Sequence, residues 1–219
     1  MNYHDEPKFK SWKSKMTGSG CIINNIEPLQ LIHKKNGELL FAMIKADITT
    51  PEGGKLPPIV VIRGDVVVIV PKVRNTETKD ERFLMIRQNR VGSGKQVLEF
   101  PAGMLDRNID DPVGCAVEEV KEETGLRIKR NDLFSLSDKA LYTSPGLNDE
   151  AVNFFGCIID LSDEEYTALE GKKEGAFSEG EETVVTLKAK SQIFKETNAA
   201  QVLLGLYLFE DALKARSRA

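Results

Sequence analysis

Four carboxylates crowd one short stretch of the chain. In "VGCAVEEVKEETGL", residues 113–126, they belong to Glu118, Glu119, Glu122 and Glu123. On a helix, residues four apart share a face, and each like-charged pair in water costs about 0.2–0.5 kcal/mol. In a sheltered site, unit charges about 4 Å apart repel by roughly 4 kcal/mol. The segment therefore indicates either a solvated helix face or a site for a hard divalent cation, which prefers carboxylate oxygens and often shares its coordination with substrate phosphates.

Histidine is too scarce for most other catalytic chemistries. Only His4 and His33 occur in the chain. A Ser-His-Asp or Cys-His mechanism, or a histidine-rich zinc site, would lack the side chains that it needs. Any general base is therefore expected to be a carboxylate or a metal-bound water.

The composition indicates a globular protein with few classes of partner. The chain has 219 residues, 41% of them hydrophobic and 29% charged, enough for one domain or one domain with a small extension. Its net charge of −4 disfavours a nucleic-acid partner. No apolar run approaches the roughly 20 residues that span a bilayer, so no membrane partner is predicted. The lack of a secretory leader pattern and the three scattered cysteines favour a cytoplasmic location, with an organelle as the alternative.

Turn signals and periodicity predict the strands around the acidic segment. Asn36-Gly37 between two apolar runs predicts a β-hairpin across residues 21–50. Further strands are predicted in "IVVIRG", "DVVVIVPKV", "RFLMIRQ", "QVLEF", "LFSLSDKALYTS", "AVNFFGCIIDL" and "TVVTL".

Helices are predicted at three other places besides the acidic segment. Asp111-Pro112 and Gly125 delimit a helix of about 13 residues that carries the four acids. A short helix is predicted at 163–170, and two more in "KSQIFKE" and "NAAQVLLGLYLFEDALKARSR", the last capped by Asn198. The layout is α+β with antiparallel strand pairs.

The N-terminus alternates basic and aromatic residues. Lysines at 8, 10, 13 and 15 flank Phe9 and Trp12. We predict a solvated, frayed tail, with a contact to phosphates or a membrane as the alternative.

The spacing of glycine and acidic residues resembles the signature box of the Nudix hydrolases. Gly103, six residues, Asp110, seven residues and then "EEVKEETGL" follow that box, whose usual form is Gly, five residues, Glu, seven residues, Arg-Glu-aliphatic-x-Glu-Glu-x-Gly-aliphatic. The first spacer is one residue longer here, Asp110 stands where Glu is usual, and Glu118 stands where Arg is usual.

The resemblance extends over residues 25–215 and points to one branch of this family. "LEFPAGMLD", "SPGLNDE", "RGDVVVIV" and the closing helix are similar to the ADP-ribose and ADP-sugar pyrophosphatases, and most of all to the plant-type ADP-sugar diphosphatases. The resemblance implies a Nudix α/β/α sandwich with a mixed sheet. Residues 1–57 would be an N-terminal tail and β extension that forms a homodimer, and residues 58–219 the hydrolase domain.

The resemblance also assigns roles to the acidic helix. Glu119, Glu123 and the carbonyl of Ala102 would hold Mg²⁺, with Mn²⁺ as a substitute. Glu122 would bind or orient a metal-bound water. Asp110 would steady the junction with the helix or cap it, and Glu118 is expected at the surface.

The general base would come from the later loop "SEGEE". Glu181 is the first choice, both as base and as an additional metal ligand, and Glu179 and Glu182 are alternatives. Glu150 in "SPGLNDE" is the competing candidate, with a substrate or inter-subunit contact as its other interpretation.

Substrate contacts are implied at four further residues. Arg63 and Arg90 would contact the diphosphate, or else form strand-end salt bridges. Pro145 and Gly146 would shape a substrate loop, or else form an ordinary turn. For adenine stacking, the candidates are Trp12 and Phe41, with core packing as the alternative for Phe41.

The expected reaction is Mg²⁺-dependent hydrolysis of ADP-ribose or ADP-glucose to AMP and a sugar phosphate. One alternative is a Nudix pyrophosphatase for another nucleoside diphosphate, such as a UDP- or GDP-sugar or NADH. The other is a non-catalytic nucleotide sensor with the same fold.

Overall fold

The chain folds into two compact units, each made of segments that are distant in sequence. A computed structural model describes residues 3–106, 109–175 and 182–217. The first unit combines Met1–Val66, Met104–Asp111 and Ala140–Val152, and the second combines Val67–Gly103, Pro112–Lys139 and Asn153–Ala219. Because both units are discontinuous, they do not test a boundary between residues 57 and 58, which stays a prediction.

A helix and a three-stranded antiparallel sheet form most of the first unit. After a 3₁₀ turn come α1 (Pro7–Gly18), β1 (Ile22–His33), β2 (Leu39–Thr49) and β3 (Ile59–Ile62), with the strands in that order in the sheet. The amide of Lys34 donates to the carbonyl of Glu38 (2.8 Å) across the turn. The predicted Asn36-Gly37 hairpin is therefore confirmed.

The prediction of a frayed N-terminal tail is wrong. α1 buries Phe9 completely and leaves Trp12 only 5% exposed. Both pack in one cluster with the inward residues of β2, which alternate with exposed ones and include Ala42, Ile44 and Ala46. The two aromatic rings are three positions apart and so share one helix face, and the lysines around them do not prevent that face from packing on the sheet.

Most of the remaining strands belong to the sheet of the second unit. They are β4 (Val66–Asn75), β5 (Glu81–Arg90), β6 (Lys95–Glu99), β7 (Ala102–Met104), β8 (Phe134–Ser135), β9 (Leu141–Tyr142), β10 (Ala151–Leu161), β11 (Lys173–Glu174) and β12 (Thr183–Lys188). The order is β11-β12-β5-β4-β10-β8, with β6 beside β5 and β7 beside β4. β9 pairs with residues 151–152 of β10, within the first unit. The predicted strand "LFSLSDKALYTS" is divided between β8 and β9.

The helices of the second unit are α2 (Pro112–Thr124), α3 (Asp163–Thr167), α4 (Lys190–Glu196) and α5 (Ala200–Arg216). α2 begins at the predicted proline, and Gly125 ends it with a φ of +73°, a conformation that favours glycine. Asn198 does not cap α5, so that prediction is wrong. The cap residue is Ala199, and its amide donates to the Thr197 hydroxyl at 3.1 Å.

Both faces of this sheet are covered. Phe83 and its neighbour Leu84 must point to opposite faces of β5, and both are buried. The ring of Phe83 contacts Phe209 of α5, with centroids 5.6 Å apart. Leu84 packs on the other side in a cluster that includes Leu126, just after α2. The unit is thus a sheet between helical layers, as predicted.

In the part of the chain that the structure describes, no helix is long and apolar enough to cross a membrane.

Candidate active site

The four glutamates of α2 divide into two pairs, each four residues apart. Glu118 and Glu122 are exposed, whereas Glu119 is half-buried and Glu123 is buried. The helix therefore has one solvated acidic pair, where repulsion is weak, and one sheltered pair, where it is costly. The interpretation as a solvated helix face fits Glu118 and Glu122, and the sheltered position of Glu119 and Glu123 fits a cation site.

Gly103 allows Glu119 to reach the backbone before α2. A Cβ atom built on Gly103 would lie 1.8 Å from Oε1 of Glu119 and 2.0 Å from its Cδ. No side chain can occupy this position while the carboxylate stays where it is. The glycine of the box is therefore explained by close approach.

Glu123 is held at the same backbone segment. The amide of Ala102 donates to Oε2 of Glu123 at 2.9 Å. From β12, the hydroxyl of Thr183 donates to the carbonyl of Glu123 at 3.1 Å, which fixes the end of α2. Residues 102–103 thus bring the two sheltered carboxylates to one place.

These residues fit a hard divalent cation that takes part of its coordination from elsewhere. Among residues 3–106, 109–175 and 182–217, no three His, Cys, Asp or Glu side chains are arranged to hold a metal ion by themselves. Mg²⁺ is usually bound through one or two carboxylates, with waters and substrate phosphates as its other ligands. The space that Gly103 leaves for Glu119 suits such a partial site.

In the first unit, Arg63 forms an ion pair with Glu150. Nη1 of Arg63 lies 2.7 Å from Oε2 of Glu150, and the Arg63 side chain is 42% exposed. The hydroxyl of Thr143 donates to the other carboxylate oxygen, Oε1, at 3.1 Å. Glu150 is therefore buried between two donors, and its role as a base stays a prediction.

Asp149 belongs to the same cluster, although the sequence did not single it out. Its Oδ1 accepts the backbone amides of Arg63 (2.7 Å) and Gly64 (3.0 Å). Burial raises the pKa of the Asp149 carboxyl, whereas the two amides act in the opposite direction. The only feature of the sequence that pointed to Asp149 was its position in "SPGLNDE".

Arg90 is also paired. Its Nε donates to Oε2 of Glu99 at 2.8 Å, between the adjacent strands β5 and β6. The side chain remains 38% exposed. This is the strand-end salt bridge that was the alternative interpretation, and the exposed part of the guanidinium can still contact a phosphate.

The other predicted residues have varied positions. Pro145 and Gly146 lie in an exposed turn, and Glu182 pairs with Lys173 at 2.8 Å. Trp12 is in the core, so it cannot stack on adenine and that candidate is wrong. Asp110 is exposed and Phe41 half-buried. Glu179 and Glu181 lie outside the described residues.

The fold and the acidic helix define a family. A model of the NUDIX domain matches residues 64–193, more than half of the chain. The chain therefore belongs to the Nudix family. This confirms the resemblance, the fold class and the prediction of a hydrolase of the pyrophosphatase kind.

Three individual proteins are also similar to this chain. Nudix hydrolase 14, chloroplastic, from Arabidopsis thaliana is 32% identical over 226 residues, which cover 95% of this chain and 71% of the relative. The ADP-ribose pyrophosphatase of Bacillus subtilis (strain 168) is 34% identical over 97 residues, 44% of this chain and 46% of the relative. The crystal structure of an ADP compounds hydrolase has a TM-score of 0.58 at 23% identity and covers 91% of this chain and 97% of its own. That structure is similar in fold.

Proposed function

We propose that this protein hydrolyses the diphosphate of ADP-linked sugars to AMP and a sugar phosphate in a reaction that depends on Mg²⁺, with Mn²⁺ as a substitute. ADP-ribose and ADP-glucose are the expected substrates. The observation that carries the proposal is the position of Glu119 and Glu123 against the backbone of residues 102–103, in a chain of the Nudix family. The names of the relatives support ADP compounds as the substrate class.

The sheltered carboxylates of Glu119 and Glu123 would hold the cation, with the carbonyl of Ala102 as a further ligand. A cation held there would supply the positive charge that offsets charge developing on the diphosphate. Glu119 and Glu123 are four residues apart on one face of α2, where like charges repel, and a cation shared by their carboxylates would offset that repulsion.

The remaining residues act on the water and the phosphates. Glu122, exposed on the same helix, orients the attacking water, and Glu181 accepts its proton. The water oxygen bonds to phosphorus, and the bridging oxygen leaves with the other phosphate. Arg63 and Arg90 each present a partly exposed guanidinium, whose planar set of donors suits phosphate oxygens.

A substrate panel tests the proposal. ADP-ribose, ADP-glucose, UDP-glucose, GDP-mannose and NADH are each incubated with the purified protein and Mg²⁺, and the nucleoside monophosphate is measured by chromatography. AMP should be released from the two ADP-sugars with the highest kcat/KM. Faster hydrolysis of a UDP- or GDP-sugar or of NADH would replace the proposed substrate class.

The non-catalytic sensor is the rival from another class, and the unusual Glu118 is its support. Calorimetry with ADP-ribose in the presence of Mg²⁺ measures binding, and chromatography of the same samples measures AMP. Binding without AMP over several hours at high protein concentration would favour the sensor and refute the enzyme.

We further propose a homodimer that forms through the three-stranded sheet of the first unit. Leu29, Ile32 and Met43 are between 38% and 44% exposed on β1 and β2 and would supply apolar surface to such a contact. Light scattering after size exclusion should give twice the chain mass, and Met43→Lys should lower it. A wild-type monomer at high micromolar concentration would refute the dimer.

The cytoplasm remains the proposed location. The Arabidopsis relative is described as chloroplastic, which keeps an organelle as the alternative. Fractionation of the source cells with an antibody against this chain would separate the two.

A further inference from the structure

Hydrogen bonds in both directions join residues 61–65 to residues 147–151. The amide of Val61 donates to the carbonyl of Leu147 (2.8 Å), and the amide of Asp149 donates back to the carbonyl of Val61 (3.2 Å). At the far end, the amide of Ala151 donates to Oδ1 of Asp65 at 3.3 Å. The end of β3 and the residues that follow it are thus held along their length against the residues that lead into β10, and Arg63 lies in the middle of the first segment.

Two consecutive acids hold Arg63 from the opposite segment. Asp149 accepts the backbone amides of Arg63 and Gly64, which fixes the course of the main chain. Glu150 binds the guanidinium through Nη1 and is itself held by Thr143. Asp149 and Glu150 are only 6% and 4% exposed. Burying two carboxylates is costly unless they have specific partners, and here Arg63 is a partner of both.

The contacts of Arg63 cover its side chain only in part. Its side chain is 42% exposed, although its partner Glu150 is buried. A guanidinium has five N–H donors in a rigid fork, and the ion pair through Nη1 uses only part of this fork. Holding one arm of the fork reduces the conformational entropy that would be lost when the other donors bind an anion.

We propose that Asp149 and Glu150 are positioning residues for Arg63, and that they orient its guanidinium for the diphosphate of the substrate. The inference rests on the proposed function, in which Arg63 binds phosphate oxygens. It also gives Glu150 a role other than general base. A base needs an oxygen within about 3 Å of the attacking water, and both carboxylate oxygens of Glu150 already accept contacts in a buried position.

A double-mutant cycle tests this inference. KM and kcat for ADP-ribose, and the Kd for ADP in the presence of Mg²⁺, are measured for wild type, Arg63→Ala, Glu150→Gln and the double variant. If Glu150 acts only through Arg63, substituting Glu150 has no further effect once the Arg63 side chain has been removed. Glu150→Gln should raise KM and Kd by about 10-fold with a smaller change in kcat. In the Arg63→Ala background it should change neither KM nor Kd further.

A general base would give the opposite pattern. The inference would be overturned if Glu150→Gln lowered kcat without changing KM, and if this loss multiplied with the loss caused by Arg63→Ala in the double variant. A Glu150→Gln variant with wild-type KM and Kd would also overturn it. The exposed pair Arg74–Asp160, whose loss should leave KM and Kd unchanged, serves as the control for removing any ion pair.

Two further measurements keep the test informative. Thermal melting shows whether each variant folds. If Glu150→Gln does not fold, Thr143→Val removes one donor to Glu150 and keeps its charge. This variant should raise Kd by about 2- to 3-fold, and an unchanged Kd would overturn the inference.

ADP binding without hydrolysis of any ADP-sugar would refute the proposed function alone. A wild-type protein that does not bind ADP would overturn the positioning role itself.

Discussion

At the scale of single residues, the proposed chemistry depends on Glu119 and Glu123 of α2, which lie against the backbone of residues 102–103. The four glutamates and their spacing were visible in the sequence, and helical geometry restricted which of them share a face. Helical spacing alone does not divide the four acids into a solvated and a sheltered pair, because that division depends on the backbone of residues 102–103, which lies beside α2 only in the fold. The family resemblance was what placed Glu118 at the surface and Glu119 and Glu123 near Ala102. Asp149 was missed because its contact with Arg63 joins residues distant in the sequence, and Glu150 was singled out in the sequence but not as a partner of Arg63.

Gly103 offers the sharpest steric prediction. Gly103→Ala places a methyl group on the carboxylate of Glu119, so either that side chain or the backbone must move. A displacement of about 1 Å at a catalytic group can cost 100-fold in rate, and we expect a loss of this size in AMP release from ADP-ribose.

Gly92→Ala is the matched control, because a Cβ atom there has no neighbour within 4 Å. It should keep the wild-type rate. An active Gly103→Ala variant would contradict the position of Glu119 described above.

Cys157 gives a chemical prediction that does not depend on function. Burial, with a smaller contribution from Asp132, raises the pKa of its thiol to about 12. At pH 8 roughly one thiol in ten thousand would then be ionised, and the thiolate is the reactive form. Iodoacetamide should leave Cys157 unmodified in the folded protein and modify it in urea. Peptide mass spectrometry measures both, and rapid labelling of the folded protein would contradict the burial.

At the scale of elements, prediction succeeded where the pattern was local. The Asn36-Gly37 hairpin, the strand β10 and the helix α4 followed from turn residues and periodicity within a few positions. Prediction failed where a segment packs against residues that are distant in the sequence. α1 was taken for a frayed tail because its lysines dominate the local composition, and Phe9 and Trp12 have a buried environment only once the sheet is formed.

α5 provides a stability prediction at this scale. Phe209 is fully buried and contacts both Phe83 and Phe134. Phe209→Ala should lower the free energy of unfolding by about 3–5 kcal/mol, since it leaves a cavity between the helix and the sheet.

Tyr207 on the same helix is 69% exposed and serves as the control. Tyr207→Ala should change the free energy of unfolding by no more than about 0.5 kcal/mol. Chemical denaturation monitored by circular dichroism measures both variants. Equal effects of the two would contradict the packing of α5 on the sheet.

At the scale of the whole molecule, the family accounts for the fold and the class of reaction. The box was recognisable in the sequence despite its longer spacer and its unusual Glu118, because Glu119, Glu122, Glu123 and Gly125 kept their spacing. The identity of the sugar was not predictable, since it depends on how loops from different parts of the chain meet. The base, the dimer and the boundary at residue 57 remain predictions.

The most direct test of the metal role is the rate of AMP release from ADP-ribose as a function of Mg²⁺ concentration. Wild type is compared with Glu123→Gln, which keeps the shape of the side chain, and with Glu118→Gln on the exposed face of the same helix. Loss of a residue that merely supports a metal ligand lowers metal affinity or activity by about 10- to 100-fold. Glu123→Gln should therefore lower the rate at least about 100-fold and raise the Mg²⁺ concentration needed for half of the maximal rate, with Glu118→Gln close to wild type. A Glu123→Gln variant with the wild-type rate and Mg²⁺ dependence would contradict the role assigned to this helix.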